Sequence, residues 1–300
     1  MKLSSSDKTL HIIIYILLII LGMVTLYPFW NSAVISFNVG MDTSRGGVTI
    51  WPRQFTLDNY KIVFQDNRIL HAFYISVMRT LAGTAISIFL TAIFAYGLSV
   101  KGVIGKKYYM IFAIITMYFS GGLIPFYLVN RELGLMNSFW VMVIPTAVSV
   151  WNMIIFRTFF MGLPVGLEES AKIDGCSTFG IFFRIVLPLS GPVLATLSLF
   201  TAVYHWNDWF TATIFINKTE LFPIQTMLQQ ILNSNIMSEQ LTIALKGNGA
   251  AADAMSRMQS VTTKSLTMAT MMVATLPIIA VYPFVQRFFV KGVLVGSLKE

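Results

Sequence analysis

A long stretch without charge constrains this chain more than any other feature. Residues 9–41 contain no aspartate, glutamate, lysine or arginine, and a helix needs about 20 apolar residues to cross the hydrocarbon core of a membrane. Over the whole chain 56% of the residues are hydrophobic and only 11% are charged, whereas soluble domains carry about 25% charged residues. The composition excludes a soluble globular domain and a polar disordered chain, and it predicts an integral membrane protein.

Six apolar runs predict six transmembrane helices within one all-α membrane domain over residues 1–300. A β-barrel would instead show many short strands of alternating polarity. The predicted spans are residues 12–37, 71–100, 108–130, 133–156, 185–217 and 265–286. Two long connections stand out, an inner loop over 163–188 and an outer loop over 218–262.

The lysines and arginines predict the orientation. If the N-terminus lies inside, the inner segments hold 11 basic and 5 acidic residues, and the outer segments hold 9 basic and 8 acidic residues. An excess of basic residues marks the cytoplasmic side of membrane proteins. Both termini are therefore predicted inside, and the net charge of +8 needs no nucleic-acid partner to explain it.

Groups suited to catalysis or metal binding are sparse. Cys176 is the single cysteine, so an internal disulfide and a CxxC site are excluded. The histidines His11, His71 and His205 lie far apart in sequence and suggest no local metal motif. Residues 102–107 contain glycines and lysines but lack the spacing and the hydroxyl residue of a phosphate-binding loop. The sequence predicts a chain without a cofactor that does not hydrolyse nucleotide itself.

The inner loop has a pattern of short helices. Pro164 and Gly166 are expected to end the preceding helix, and Glu168 and Glu169 are expected in the first turn of a new one, where carboxylates suit the helix dipole. Gly175 is expected to stop this helix in a left-handed conformation, and Ser177 or Thr178 can cap a second helix. Such a protrusion could dock in a groove of another protein or lie on the lipid headgroups, and physical reasoning leaves both open.

The same residues resemble the EAA loop of ABC-importer permeases. Its elements are Glu169-Ser170-Ala171, then Gly175 after three intervening residues, then Ile185-x-Leu187-Pro188 after nine intervening residues. Ser170 departs from the usual alanine but is also small. The resemblance implies that the residues coupled to the ATPase are Glu168, Glu169, Ser170, Ala171, Lys172, Asp174, Gly175, Ile185, Leu187 and Pro188. Segments 121–125, 151–152, 204–209 and 282–292 resemble the carbohydrate branch of the maltose-permease kind. Within that branch they resemble the permeases for complex or uronic-acid-containing oligosaccharides.

This resemblance implies a half-channel in a bacterial cytoplasmic membrane. Such permeases pair with a homologous second permease, with two cytoplasmic ATPase subunits that bind ATP and magnesium, and with an extracytoplasmic sugar-binding protein. The expected function is import of an oligosaccharide, with the inner loop carrying the motion of the ATPase into the membrane. Lipid covers the rest of the surface.

Polar and aromatic residues at the end of the fifth span suggest a substrate pathway. Aromatic rings can stack on the C–H faces of a sugar, while amides and carboxylates can bind its hydroxyl groups. The candidates are Tyr204, Trp206, Asn207, Asp208 and Trp209, with Tyr118 and Asn152 on other spans. The alternative is an aromatic belt at the headgroups. Arg79 lies within a span and is expected to contact a structural partner or a headgroup rather than substrate.

The outer loop is a candidate contact for the sugar-binding protein. The stretch around Gly247, Gly249 and Asp253 is small enough to enter a cleft, although a solvated loop is the simpler interpretation for any one of these residues. Residues 223–232 are expected to form an interfacial helix.

Other transporter classes fit the sequence less well. An ion-coupled secondary transporter would need intramembrane carboxylates, and Asp208 is the one acidic residue within the predicted spans. A membrane enzyme would need a catalytic constellation that the sequence does not show. An ABC permease for a solute other than sugar remains an alternative.

Overall fold

The computed structural model describes residues 5–245 and 263–297, and within these ranges the chain is helical apart from connecting turns and one isolated bridge between Asn38 and Phe55. The candidate residues Gly247, Gly249 and Asp253 lie outside the described residues. The helices are α1 (Ser5–Ser36), α2 (Gly40–Ser44), α3 (Asp58–Gln65), α4 (Asn67–Ser99), α5 (Lys106–Tyr118), α6 (Leu123–Glu132), α7 (Val150–Met161), α8 (Val165–Ile173), α9 (Thr178–Ile181), α10 (Leu187–Leu189), α11 (Gly191–Asn207), α12 (Phe210–Phe215), α13 (Ile224–Leu245) and α14 (Thr263–Ser297).

Three of these helices are long and apolar enough to cross a membrane without interruption: α1, α4 and α14. They correspond to the predicted spans 12–37, 71–100 and 265–286. In the described part of the chain the number of spans rises to six if each of three sharply bent helix pairs forms one crossing.

The first bent pair corrects the expectation of a continuous helix over residues 108–130. The chain direction bends by 114° between helices α5 and α6, because the connection contains Ser120, Gly121 and Gly122. Gly122 has φ 83° and ψ −179°, a conformation that essentially only glycine adopts. An apolar run therefore predicts burial in the membrane here but not a straight helix.

The second bent pair occupies most of residues 133–156. Two 3₁₀ turns, Phe139–Met142 and Ile144–Thr146, precede α7 at an angle of 46°. Pro145 lies in the second turn and cannot donate a helical hydrogen bond. Ser149 caps α7 by accepting a hydrogen bond from the Asn152 backbone N–H at 3.3 Å.

The third bent pair divides residues 185–217. A π-helical turn, Phe182–Val186, leads into α10, and the segment Thr178–Leu189 meets α11 at 82°. The bend lies at Ser190, whose hydroxyl donates to the Val186 carbonyl at 2.6 Å. Pro192 then stands in the first turn of α11, where its missing N–H costs no helical hydrogen bond. The chain breaks again at Asp208 before α12.

One compact unit contains the described residues of 71–227 and 277–297. Its first apolar core joins α4, α7, α8 and α9 through buried Tyr96, Phe160, Ala171 and Ile181. A second core surrounds Phe215 and includes Ile75, Met142 and Ile216.

The other unit contains the described residues of 5–70 and 228–276. The segment after α1 is held by Asn38, whose side-chain amide donates to Asp42 and Thr43 at 3.0 Å each. This hydrogen bond from Asn38 lowers the pKa of the Asp42 carboxyl. Arg53 also pairs with Asp42 at 3.1 Å. The segment is thus fixed by polar contacts, together with a small apolar cluster around Val48.

Candidate functional site

A polar stripe runs along the buried face of α4. It consists of Ser76, Arg79, Gly83, Ser87 and Thr91, and all five are buried. Their spacing of three or four residues places them on one face of the helix. In a membrane-spanning helix such a stripe faces other helices or a cavity rather than lipid.

The stripe contains a buried ion pair. The Arg79 side chain is 1% exposed and pairs with the Asp208 carboxylate, which is 12% exposed. Arg79 Nη1 also donates to the Asp208 carbonyl at 2.5 Å. This contact confirms the expectation that Arg79 has a structural partner.

The ion pair explains how the helix breaks at Asp208. The break between α11 and α12 removes helical hydrogen bonds inside an apolar region, where an unsatisfied backbone group is costly. Arg79 donates to the Asp208 carbonyl, and the Asp208 carboxylate accepts from the Thr211 backbone N–H at 3.1 Å. Thr226 on α13 donates to the Trp209 carbonyl at 3.1 Å. Three helices thus stabilise the break.

One turn further along the stripe, α4 and α11 come into close contact. A Cβ atom at Gly83 would lie 2.5 Å from Nε2 of His205, so only glycine permits this packing. The Gly83–His205 contact and the Arg79–Asp208 pair occupy successive turns of both helices. Together they fix α11 against α4 at the height of the adjacent cavity.

A cavity of about 390 Å³ lies where α4, α7 and α11 meet. The lining residues are mainly hydroxyl, amide and aromatic side chains. They are Ser87, Pro145, Thr146, Val148, Ser149, Asn152, Phe200, Thr201, Tyr204 and His205. The side-chain amide of Asn152 donates to the Thr201 hydroxyl at 3.1 Å across the contact between α7 and α11.

The cavity brings together two of the residues predicted for the substrate pathway, Asn152 and Tyr204. Trp206 is 6% exposed and packs edge-on against Phe73 at 5.6 Å between ring centroids. Asp208 is engaged with Arg79, as described above. Asn207, Trp209 and Tyr118 are exposed, at 39% for Trp209 and 74% for Tyr118, and lie outside the lining.

Several cavity residues were missed by sequence reasoning. The signal for Ser87 was available, because the small and polar residues of α4 recur every three or four positions from Ser76 to Thr91. The spacing of Phe200, Thr201 and Tyr204 on one helix was also visible. Thr146 and Ser149 carried no such signal, because their position depends on the bend before α7. Within the described ranges, no group of three or more His, Cys, Asp or Glu side chains could hold a metal ion.

The inner loop forms a second candidate site. Helix α8 begins at Val165, which corrects the expectation that Gly166 ends the preceding helix: α7 has already ended at Met161. Glu168 lies in the first turn, as expected, whereas Glu169 lies one residue beyond it. The prediction for Gly175 is confirmed, since its φ is +78°.

Backbone hydrogen bonds close the end of α8. The N–H of Gly175 donates to Lys172 at 3.1 Å, and the N–H of Cys176 donates to Ala171 at 2.9 Å. Ser177 then caps α9 by accepting from the Gly180 N–H at 3.1 Å, which confirms the predicted cap. The turn between α8 and α9 is therefore held by hydrogen bonds at the end of α8 and at the start of α9.

The two faces of this loop differ in exposure. Ala171 is buried in the first apolar core, and Ile185 and Leu187 are half-buried against it. Ile173 is 86% exposed and Phe179 is 67% exposed. The other members of the predicted coupling set are exposed or half-buried: Glu168, Glu169, Ser170, Lys172, Asp174, Gly175 and Pro188. Large apolar side chains that protrude beside charged ones are typical of a protein-binding surface.

Comparison with known families decides the class of this molecule. Residues 67–295 match the family of binding-protein-dependent transport system inner membrane components. The chain belongs to this permease family. The permease is a membrane component of an ABC importer, and ATP hydrolysis in such importers is carried out by separate subunits.

Relatives and a solved structure match the permease over nearly its whole length. It is 40% identical to the polygalacturonan/rhamnogalacturonan transport system permease protein YtcP of Bacillus subtilis (strain 168), over 98% of this chain and 99% of that protein. It is 41% identical to Protein LplC of the same organism, over 93% and 90%. A chain from the crystal structure of a bacterial ABC transporter involved in the import of the acidic polysaccharide alginate aligns with a TM-score of 0.84 and 28% identity, covering 96% of this chain and 99% of that chain.

Proposed function

We propose that this permease forms one half of the translocation pathway for an oligosaccharide derived from an acidic polysaccharide. The observation that carries this proposal is similarity over the whole chain to YtcP, which is named for polygalacturonan and rhamnogalacturonan transport. The alginate transporter supports the same class of substrate. The cavity at the junction of α4, α7 and α11 offers aromatic and neutral polar groups, which suit a sugar.

The proposed topology has six spans with both termini in the cytoplasm. The three uninterrupted helices would supply three crossings, and each of the three bent pairs would supply one more. The distribution of basic residues supports the orientation. The most apolar part of α1 is unburied along its whole length, so it would contact lipid or another subunit in the bacterial cytoplasmic membrane.

The proposed coupling element is α8 with the turn that follows it. Ala171 anchors the helix in the core, while Ile173 and Phe179 protrude beside exposed charges. These side chains would dock in a groove of the ATPase, and closure of the ATPase dimer would push the loop as a rigid body. The residues proposed to take part remain Glu168, Glu169, Ser170, Ala171, Lys172, Asp174, Gly175, Ile185, Leu187 and Pro188.

The remaining partners follow from this class of importer. The proposed complex contains a second permease, two ATPase subunits and an extracytoplasmic sugar-binding protein, and this chain itself binds no cofactor. Asn152 and Tyr204 are proposed to contact sugar in the cavity. Tyr118, Trp206, Asn207, Asp208 and Trp209 stay candidates for the rest of the pathway, and Gly247, Gly249 and Asp253 stay candidates for contact with the binding protein.

Two substitutions in the loop test the coupling proposal. Gly175→Val forces a β-branched residue into a positive φ, which it resists, and should reorient α8. Glu169→Lys reverses a charge on the exposed face. Both variants should insert and pair with the second permease, yet bind the ATPase weakly or hydrolyse ATP without transport.

The readouts are ATPase pull-down, sugar-stimulated ATP hydrolysis and uptake in reconstituted vesicles. Gly134→Val is a matched control, because Gly134 has φ +68° with open space around it and lies outside the loop. The control should keep coupling despite equal backbone strain. Wild-type values for both loop variants in all three assays would refute the coupling role.

A further inference from the structure

The cavity at the junction of α4, α7 and α11 also contains Phe200, an aromatic side chain that the proposed function does not use. Phe200 and Tyr204 lie one turn apart on α11 and are 52% and 50% exposed. Residues four apart on a helix lie on the same face, so the two rings form an aromatic platform at the cavity. A volume of about 390 Å³ falls within the range of about 300–1,000 Å³ typical of small-molecule sites.

The polar groups around the platform are neutral. Ser149 caps α7, Asn152 lies on α7, and Ser87 lies on α4. Asn152 uses one amide hydrogen to bind Thr201, whereas an asparagine amide has two donors and two acceptor positions. Rings beside hydroxyl and amide groups match a pyranose, which has apolar C–H faces and hydroxyl groups at its edge.

A buried charge on α4, the helix that carries Ser87, is already compensated. Arg79 is 1% exposed, lies outside the cavity lining and donates to both the carbonyl and the carboxylate of Asp208. The ten described residues that line the cavity include no Lys, Arg, Asp or Glu. A carboxylate that entered would lose its hydration without gaining a counter-ion, which is strongly unfavourable in a low-dielectric region.

We propose that the aromatic platform and Asn152 form a subsite for an uncharged sugar unit, and that this subunit does not bind the carboxylates of an acidic oligosaccharide. This inference rests on the proposed function and assigns a specificity role to Phe200. The carboxylates of such a substrate lie against other surfaces of the pathway. The subsite recognises the shape and the hydroxyl groups of one sugar unit of the oligosaccharide.

The first test measures uptake by the complete importer in vesicles, with a galacturonic acid trimer and a neutral galactose trimer as probes. Phe200→Leu should raise KM for the neutral galactose trimer about 2- to 10-fold, the range expected for loss of an aromatic contact, and should leave KM for the galacturonic acid trimer, which has no uncharged unit, near wild type. Phe200→Tyr should stay near wild type for both probes. Phe112→Leu is the matched control, because Phe112 is 70% exposed on α5 away from the cavity. Equal KM values of Phe200→Leu and the control for the neutral trimer would overturn the subsite.

The second test places a positive charge at the cavity. Thr146 lines it and is half-buried, so Thr146→Lys adds a cation and Thr146→Met adds a neutral chain of similar length. If the subsite takes an uncharged unit, the lysine variant should transport the acidic trimer no better than the methionine variant. Faster uptake of the acidic trimer by the lysine variant alone, weakened by salt, would overturn the inference.

A third measurement reports occupancy independently of transport. Cys176 is the single cysteine, so Phe200→Cys in a Cys176→Ser chain carries one thiol at the platform. Saturating neutral galactose trimer, added together with the binding protein, should slow the reaction of this thiol with maleimide in the assembled complex. An unchanged rate would contradict the subsite. The proposed function fails separately, if the wild-type complex imports neither these trimers nor longer oligosaccharides with ATP.

Discussion

Replacing either Arg79 or Asp208 by a neutral residue should destabilise the permease by about 3–5 kcal/mol, the usual cost of leaving one member of a buried ion pair without its partner. The magnitude follows from burial, since the two side chains are 1% and 12% exposed. Asp208→Asn keeps the shape of the side chain and an acceptor for the Thr211 N–H, so its effect isolates the charge. Arg79→Met keeps the apolar stem and removes the guanidinium.

The double variant should lose less than the sum of the single losses, because no unpaired charge remains. A residual loss of about 1–3 kcal/mol is expected, since the buried Asp208 carbonyl loses its donor. Exchanging the charges, with Arg79→Asp and Asp208→Arg, should not restore stability. The Asp208 carboxylate also accepts from Thr211, and the backbone carbonyl that Arg79 binds stays in place.

The assay is the free energy of unfolding in mixed micelles, measured by titration with a denaturing detergent and analysed as a double-mutant cycle. Arg68→Met is the control, because Arg68 pairs with Asp66 while 81% exposed, and such surface pairs contribute about 0–1 kcal/mol. Additive losses within about 0.5 kcal/mol, or full recovery in the charge-exchanged variant, would refute this account of the break at Asp208.

Two further predictions concern packing and topology. Gly83→Ala should destabilise the permease by about 1–3 kcal/mol, because the added methyl group would meet the His205 ring. Gly97→Ala is the control, since Gly97 lies on the same helix with open space around it, and it should be neutral or stabilising. The same unfolding titration compares the two variants. A membrane-impermeant maleimide should label Cys176, which is half-buried, in inside-out vesicles lacking the ATPase subunits and not in intact cells; labelling from outside would reverse the proposed orientation.

Much of the fold could be predicted because it depends on local chemistry. Hydropathy alone located α1, α4 and α14, since a long apolar run has few stable alternatives to a helix in lipid. The positive φ of Gly175 and the cap at Ser177 were also predictable. Each depends on a few neighbouring residues, as does the loop motif that pointed to the permease family.

The bends were harder to predict because hydropathy measures affinity for the membrane and not the path of the chain. Residues 108–130 are apolar enough for one span, yet Gly122 turns the chain by taking a conformation that other residues avoid. The bend at Ser190 depends likewise on the π-helical turn before it. A run of apolar letters is compatible with a straight helix and with a sharply bent pair.

The cavity and the ion pair depend on packing between distant segments. Arg79 and Asp208 are 129 positions apart, and the sequence around either residue gives no signal that the two form a pair. The same local sequence would allow an arginine in a span to bind headgroups, another subunit or a carboxylate. Which of these it binds depends on how α4 and α11 pack, and this packing in turn selects Asn152 and Tyr204, rather than Trp206 or Trp209, as cavity residues.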